Sequence, residues 1–330
     1  MTDITISVEG QSPELLDAYV ASRMERGKAG SRAIDWAFGG NEAAFAVARS
    51  DNKIVGISSY IRSSMQFGAN RGTGYQAVDS FVAPEMRGQG LFTSLARAYA
   101  DHAQARIVDL IWGFPNDNAA PAWFGKLGWT SHGQVPFLIK PLRAGYFLRK
   151  LRLGGDFSLS SGRDQNLEPI SAVGDWADEL WDRYSKGIGC ATIRDRTFLN
   201  HRLFDAPQAE QYRVVAEATA MSGALVATRE AEKHGGRIAY VMEAMGNTAL
   251  RGILNSELSR LRDRGIELAL AWAYPWSPNY SVLRRSGFLP LPERMRPIRI
   301  WFGGRAMSDS AANALHRENW YLSYLDSDTI

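Results

Sequence analysis

Apolar residues along this chain recur at two spacings, and the spacing switches many times between the termini. Alternation over 4–8 predicts a short strand. Ser12-Pro13-Glu14 then opens a helix reaching about Met24, with Ser12 as N-cap and Pro13 in the first turn. Runs 42–49 and 54–65 read as strands joined by a hairpin turn, Ser50-Asp51-Asn52-Lys53. The glycine-rich stretch 68–74 reads as a second turn. Run 76–82 suits a strand, and Ala83-Pro84 ends it because proline lacks the amide a ladder needs. Leu91, Phe92, Leu95, Ala98 and Tyr99 follow at helical spacing and predict a helix over 91–104. A buried strand from Leu110 ends in a polar loop at Asn116, and a short helix covers 121–126. Gly128 suits a left-handed helix end, Trp129 opens the next strand, and 137–142 is another. Further on, helices are predicted at 176–186, 196–203 and 249–264, and strands at 212–217, 223–228, 237–245, 268–273 and 298–302. Strands, hairpins and helices in this order predict an α+β fold with mixed sheets.

Two stretches echo each other. Ile34-Asp35-Trp36-Ala37-Phe38 and the strand that follows resemble Leu199-Asn200-His201-Arg202-Leu203 and its strand, 165 residues later. The segment from Phe114-Pro115-Asn116 to Leu127-Gly128-Trp129 resembles that from Tyr274-Pro275-Trp276 to Ser286-Gly287-Phe288, 160 residues later. Nearly equal offsets indicate duplication. The expected layout is a domain over 1–145, a linker over 146–170 and a second domain over 171–330. The linker region holds Gly154-Gly155, Ser158, Ser160, Ser161 and Gly162, a flexible composition. A length of 330 residues suits two domains, and 45% hydrophobic with 22% charged residues is a globular balance. The formal charge of +3 is too small to imply nucleic acid. One cysteine, Cys190, excludes an internal disulfide, and no apolar run is long enough to span a membrane. Met1-Thr2-Asp3 does not begin a signal peptide, so a cytoplasmic location is expected.

The turn Arg87-Gly88-Gln89-Gly90 lies where a strand gives way to a helix. A helix start offers amides and partial positive charge to a phosphate, and glycines let the backbone approach it. Thr93 departs from a dinucleotide fingerprint, and Leu91-Phe92 departs from a P-loop. The run from Val82 to Leu91 resembles motif A of the GNAT acyltransferases. The resemblance implies that amides of Arg87, Gly88, Gln89, Gly90, Leu91 and Phe92 hold the pyrophosphate of coenzyme A. It implies that the backbone at Phe81 and Val82 holds the pantetheine arm and acyl carbonyl of an acyl-CoA. Glu85 and Phe92 depart from the usual pattern, and Phe92 is expected to reshape the acyl end. The segment from Asn116 to Trp129 resembles the family's Asn-x-x-Ala…Tyr-x-x-x-Gly-Phe block, which brings Asn116, Asn118 and Phe124 to the cofactor side. Phe124 falls where some members have a general-acid tyrosine and carries no hydroxyl.

The implied architecture is two GNAT-like domains, each a mixed, mostly antiparallel twisted sheet flanked by helices. In the second, the strand ending at Met245 leads into Gly246-Asn247-Thr248-Ala249, with no Arg-Gly-x-Gly turn. That copy is expected to be degenerate, shaping the acceptor pocket or bracing the first. The stretches from Arg194 to Arg202 and from Trp320 to Asp328 resemble N-acyltransferases of bacterial polysaccharide and nucleotide-sugar pathways.

Acyl transfer to an amine needs a base, a held carbonyl oxygen and two positioned reactants. Asp79, Gln76 and Ser80 are the base candidates in the first half. Asp79 is a carboxylate in a strand suited to burial, so it is read either as catalytic or as the ion-pair partner of a neighbour such as Arg62. Glu243 holds the comparable place in the second half. Cys190 has no adjacent base, His132 reads as a loop histidine, and no cluster has metal-ligand spacing. Lys140, Arg143, Arg149, Lys150 and Arg152 form a basic group, read either as a contact for an anionic ligand or as a solvated connector; Arg294, Arg296 and Arg299 are similar. The functional expectation is an acyl-CoA-dependent N-acyltransferase acting on a primary amine of a small molecule, with a nucleotide-linked amino sugar as a candidate acceptor. The alternatives are an acyl-CoA-binding protein without turnover and a Fem-like aminoacyl transferase.

Overall fold

The chain begins β1 (Ile4–Gly10), α1 (Pro13–Glu25), α2 (Ser31–Gly39), β2 (Ala43–Ser50), β3 (Lys53–Phe67) and β4 (Asn70–Val82). It continues α3 (Leu91–Ala105), β5 (Leu110–Gly113), α4 (Ala120–Lys126), β6 (Thr130–Gln134), β7 (Phe137–Pro141) and α5 (Gly145–Lys150). There follow α6 (Trp176–Tyr184), β8 (Cys190–Thr192), α7 (Arg196–Leu203), β9 (Tyr212–Ala218), β10 (Gly223–Lys233) and β11 (Gly236–Gly246). The last are α8 (Leu250–Asp263), β12 (Leu268–Trp272), α9 (Pro278–Arg285), β13 (Leu289–Pro290) and β14 (Trp301–Ala306). This computed structural model describes residues 4–25, 31–39, 42–159, 162, 165–218, 223–233, 235–296 and 298–327. Met1, Thr2, Asp3, Ser160, Ser161 and Asp328 lie outside the described residues.

Two compact units form, and neither is continuous in sequence. One comprises 1–134 with 300–319, the other 135–299 with 320–330. The boundaries therefore differ from the expected 1–145, 146–170 and 171–330.

In the first unit the strand order is β1-β2-β3-β4-β5-β14-β6, antiparallel except for the parallel β4–β5 pair. Leu91, Leu95, Tyr99 and Ala103 of α3 pack on one face, against Ala46, Tyr60 and Ile111. Leu15 and Tyr19 of α1 with Ile34 and Phe38 of α2 cover the other, over Phe45, Val47, Ile57 and Val78. Each such aliphatic side chain taken from water contributes about 1.5–3 kcal/mol, which is why the two apolar stripes select these faces.

The strand after Ile300, expected in the second half, belongs to this sheet. β14 fits between β5 and β6 because Gly303 and Gly304 carry no side chain. A Cβ on Gly303 would stand 2.3 Å from the Thr130 carbonyl oxygen, and one on Gly304 would stand 2.8 Å from that of Ile111. The turn expected over 68–74 is also shorter, since β4 starts at Asn70. Gly72 and Gly74 serve close packing. A Cβ on Gly72 would lie 2.5 Å from Asp109 Oδ2, and one on Gly74 would lie 2.7 Å from Met65 Cγ.

In the second unit the order is β13-β7-β12-β11-β10-β9, with β11–β12 parallel. β7, expected in the first half, sits between β12 and β13, pairing Leu270 with Ile139 and Leu289 with Ile139. Leu250, Leu254, Leu258 and Leu261 of α8 cover this sheet, packing on Val226, Val241 and Ala271. Strand for strand the order matches the first sheet from β2 onward, with β7 where the first sheet has β14. The expected flexible linker holds α5 and is pinned by Ala144 N donating to Phe157 O and Leu159 N donating to Leu142 O, both at 2.8 Å.

Candidate active site

The glycine turn follows β4 directly. Gly88 and Gly90 have φ of +77° and +80°, a conformation that a side chain disfavours. A Cβ at either position would meet nothing within 4 Å, so the space over the turn is open. Gly90 is the N-cap of α3 and no side chain caps the helix. The first-turn amides, beginning at Leu91, therefore face outward with the positive end of the helix dipole behind them. Arg87 Nε donates to the Val82 carbonyl at 3.2 Å and Gln89 Nε2 to that of Glu85 at 3.1 Å, which tie the turn to the strand end. These groups fit a pyrophosphate: amides, a dipole, an exposed guanidinium and no Cβ in the way.

Behind the turn the two parallel strands part. Pairing of β4 with β5 runs from Gly74↔Leu110 to Ala77↔Gly113 and stops, while β4 continues to Val82. A bulge marks the place. On β3, Ser58 pairs with Ser80 and Ser59 pairs with Val78, which leaves Asp79 as the extra residue. The bulge reverses side-chain parity, since Val78 and Phe81 both pack toward α1 and α2 whereas Ala77 and Val82 pack toward α3.

Asp79 is held by α1. Arg23 Nη1 lies 2.7 Å from its Oδ2, and Tyr19 Oη donates to the same oxygen at 3.3 Å. Burial, and then the Asp79 charge, pushes the Tyr19 hydroxyl up, so it remains a donor. Arg62, the partner expected from sequence, pairs instead with Glu42 at 3.6 Å. Tyr19 and Arg23 were not singled out in the sequence. Their spacing of four on one helix face was the available signal. Ser80 shares a hydroxyl contact with Ser58 at 2.9 Å.

Asn116 acts as a local cap. Its Oδ1 accepts from the amides of Asn118 and Ala119 at 3.1 and 3.0 Å, just before α4. Asn118 is exposed beside it. Phe124 packs against Trp301 with ring centroids 6.4 Å apart, and Phe92 packs edge-on against Trp123 at 5.4 Å. The structure thus gathers 82–92 and 116–124 in the first unit, on the α3 side of β4 and β5, while the Phe81 side chain faces α1 and α2.

The second unit has a matching bulge. Ala227 pairs with Glu243 and Thr228 with Val241, leaving Met242 extra, and parallel pairing with β12 ends at Val241↔Ala271. Here residues 320–327 cover β11 beyond that point. The Glu243 side chain has no exposed surface. It accepts from Arg194 Nε at 3.2 Å, Ser323 Oγ at 2.8 Å, Tyr321 Oη at 2.5 Å and the Ala244 amide at 2.9 Å. Arg194 also bonds Asp326 and the Thr192 carbonyl and lies over the Tyr321 ring at 4.9 Å. Burial works against its charge, and Asp326 and Glu243 outweigh burial and hold it protonated. Glu243, the catalytic candidate of the second half, is thus a carboxylate with four donors and no exposed surface, set in the core of the second unit. Arg194 and Trp320–Tyr324, read as family-like segments, belong to the same core.

His132 is buried, its Nε2 donating to the Ala314 carbonyl at 2.9 Å, and burial lowers its pKa to about 4. Cys190 is buried in β8, beside Trp320, and burial and then Asp326 push its thiol up, away from a nucleophilic thiolate. Among the basic group, Arg143 pairs with Asp156 at 2.6 Å and Arg149 with Glu267 at 2.7 Å, while Lys140 donates to the Ser286 carbonyl at 2.6 Å. Among the described residues no group of His, Cys, Asp and Glu could hold a metal ion, and no helix is long and apolar enough to cross a membrane.

Comparison with known proteins bears on this geometry. Residues 12–129 match the profile of the acetyltransferase (GNAT) family. A GCN5-related N-acetyltransferase from Anabaena variabilis superposes with a TM-score of 0.63 at 13% identity, over 94% of this chain and 75% of that one. One from Kribbella flavida gives 0.57 at 12% identity, over 91% and 71%. The Saccharomyces cerevisiae N-myristoyltransferase, solved with myristoyl-CoA and inhibitors, gives 0.55 at 10% identity, over 98% and 86%. At such identities the likeness is one of fold. No curated protein sequence matches the chain.

Proposed function

We propose, from the premise that this chain is a GNAT-superfamily acyltransferase with the family domain in residues 12–129, that it moves an acyl group from coenzyme A to a primary amine of a small molecule by direct attack. The observation that carries this reading is the parting of β4 from β5 after Ala77↔Gly113, immediately before an uncapped, glycine-led helix start. A thioester bound there supplies an acyl carbon already activated toward amines. In this reading the amides of 87–92 take the pyrophosphate, and the β4 backbone at Phe81 and Val82 takes the pantetheine arm and polarises the acyl carbonyl. Asn116 contributes by fixing the start of α4, and Asn118 and Phe124 border the same side.

Asp79 is assigned to the acceptor. Its carboxylate is engaged by Arg23 at 2.7 Å and by Tyr19 at 3.3 Å. It is therefore proposed to orient the amine by charge, with the amine's proton leaving to water. An amino sugar carried on a nucleotide is the acceptor proposed for first trial. A second reading, acyl-CoA binding without turnover, is favoured by one feature: Phe124 offers no hydroxyl to the leaving thiolate.

Calorimetric titration of acetyl-CoA and free coenzyme A into the wild type and Gly90→Asp tests the assignment. A carboxylate about 4 Å from one phosphate charge costs about 4 kcal/mol at an effective dielectric of 20, and roughly half that on an exposed turn. Affinity should fall at least about 30-fold. Equal binding by both proteins, or none by the wild type, would sink the proposal. Binding without turnover on any amine would favour the second reading.

A further inference from the structure

The excursion that follows β7 presents an apolar and cationic face that the acyl-transfer reading does not use. Phe147, Leu151, Leu153, Phe157 and Leu159 are 38–68% exposed, all within thirteen residues of sequence. Such a cluster of large apolar side chains on a surface marks a docking site. It is not a loose loop. Ala144 N donates to Phe157 O, Leu159 N to Leu142 O and Leu153 N to Leu148 O, each at 2.8 Å. Gly145 N donates to Asp156 Oδ1 at 2.8 Å, and Arg143 bridges Ser158. The backbone that carries these apolar residues is thereby held in place.

Charge identifies the occupant. Residues 144–155 contain no carboxylate and contain Arg149, Lys150 and Arg152. Of the acids nearby, Asp156 pairs with Arg143, Glu267 with Arg149 and Asp263 with Arg262, while Glu232 lines the same cavity as Arg149. Among the described residues neither Lys150 nor Arg152 forms an ion pair with a carboxylate, and Lys150 lies 5.7 Å over the Tyr146 ring. Lys150-Leu151-Arg152-Leu153 thus alternates cation and aliphatic side chain along the exposed turn. Leucines that enter the acyl boundary, with basic side chains reaching back to phosphate headgroups, are the pattern of an interfacial anchor.

We propose that this face docks the protein reversibly on the surface of a bilayer containing anionic phospholipid. The charge separates this occupant from a second copy of the chain, whose matching face would bring the same cations together.

Flotation with vesicles of phosphatidylcholine alone and of phosphatidylcholine with one-third phosphatidylglycerol provides the test, together with analytical ultracentrifugation without lipid. The full chain should bind the anionic vesicles, weaken as salt rises, and ignore the neutral ones. Lys150→Gln with Arg152→Gln should weaken binding about 25-fold, at about fivefold per charge. Leu151→Ser with Leu153→Ser should weaken it about 100-fold or more. Both pairs are exposed, and unchanged thermal melting checks their folding. Absence of binding to the anionic vesicles overturns the proposal, as does binding that both double variants retain. Self-association abolished by Leu151→Ser with Leu153→Ser, with no vesicle binding, would assign the face to contacts between copies instead.

Discussion

Replacing Glu243 with glutamine separates a structural carboxylate from a catalytic one. In the second unit Glu243 receives four donors and shares Arg194 with Asp326. Glutamine keeps the shape, but its one carbonyl oxygen can accept from Tyr321 or from Ser323 and not from both, since they bond opposite carboxylate oxygens. It loses the charge-assisted bond from Arg194 Nε at 3.2 Å, a contact of about 1.5–3 kcal/mol. Its amide hydrogens must then face either Arg194 or the Ala244 N–H, so a buried donor is left without an acceptor. The sum is a loss of about 3 kcal/mol. For a unit of this size 1 kcal/mol is about 2–4 °C, so melting followed by near-ultraviolet circular dichroism should fall by about 6–12 °C. Arg194→Met should cost more, since two buried carboxylates would lose their shared cation. Coenzyme A titration, and turnover per folded molecule well below the new melting temperature, should stay within about twofold of wild type. A variant that melts as the wild type does and yet loses turnover would refute the reasoning and return Glu243 to the reaction.

Further outcomes follow from other contacts. Gly72→Ala should destabilise the first unit by about 1–3 kcal/mol in urea unfolding, because the added Cβ would stand 2.5 Å from Asp109 Oδ2 and 2.9 Å from Phe67. His132 is buried neutral with a pKa near 4, so the unfolded chain binds its proton first as pH falls. Its contribution is fully present above about pH 6.5 and is lost toward pH 4, at most about 3 kcal/mol. His102 and His201 are lowered in the same sense, so the test is whether His132→Gln flattens the dependence of unfolding free energy between pH 4.5 and 6.5. Asp79→Asn should raise KM for the amine about tenfold and leave the shape of the pH–kcat profile unchanged. Disappearance of its acidic limb would make Asp79 the proton acceptor.

Much of the candidate site was legible because it is local. A strand stop at Ala83-Pro84, two glycines that must take positive φ, and a helical stripe from Leu91 each follow from residues a few positions apart. The same holds for the helix end at Gly128 (φ 71°) and its counterpart Gly287 (φ 90°). Glycine content misled where its use was not a turn. Gly72 and Gly74 lie inside β4, and their purpose is visible only from Asp109 and Met65 across the fold.

The sequence by itself determined the α+β character, most of the strands and helices and the glycine turn before α3, since backbone preference and apolar periodicity act within a few residues. Tertiary structure alone decided which sheet each strand joins. Residues 137–141 and 301–306 are short strands that carry no mark of their partners; for the second, Gly303 and Gly304 permit the approach of Thr130 and Ile111. It also decided the fate of the two acidic residues. Both stand at or beside a bulge that periodicity cannot register. Asp79 meets Arg23, 56 residues away, beside the glycine turn, and Glu243 is closed off by residues about 80 positions further along. Pairing of charges and closure of sheets depend on contacts between distant residues, and these exist only once the chain has folded.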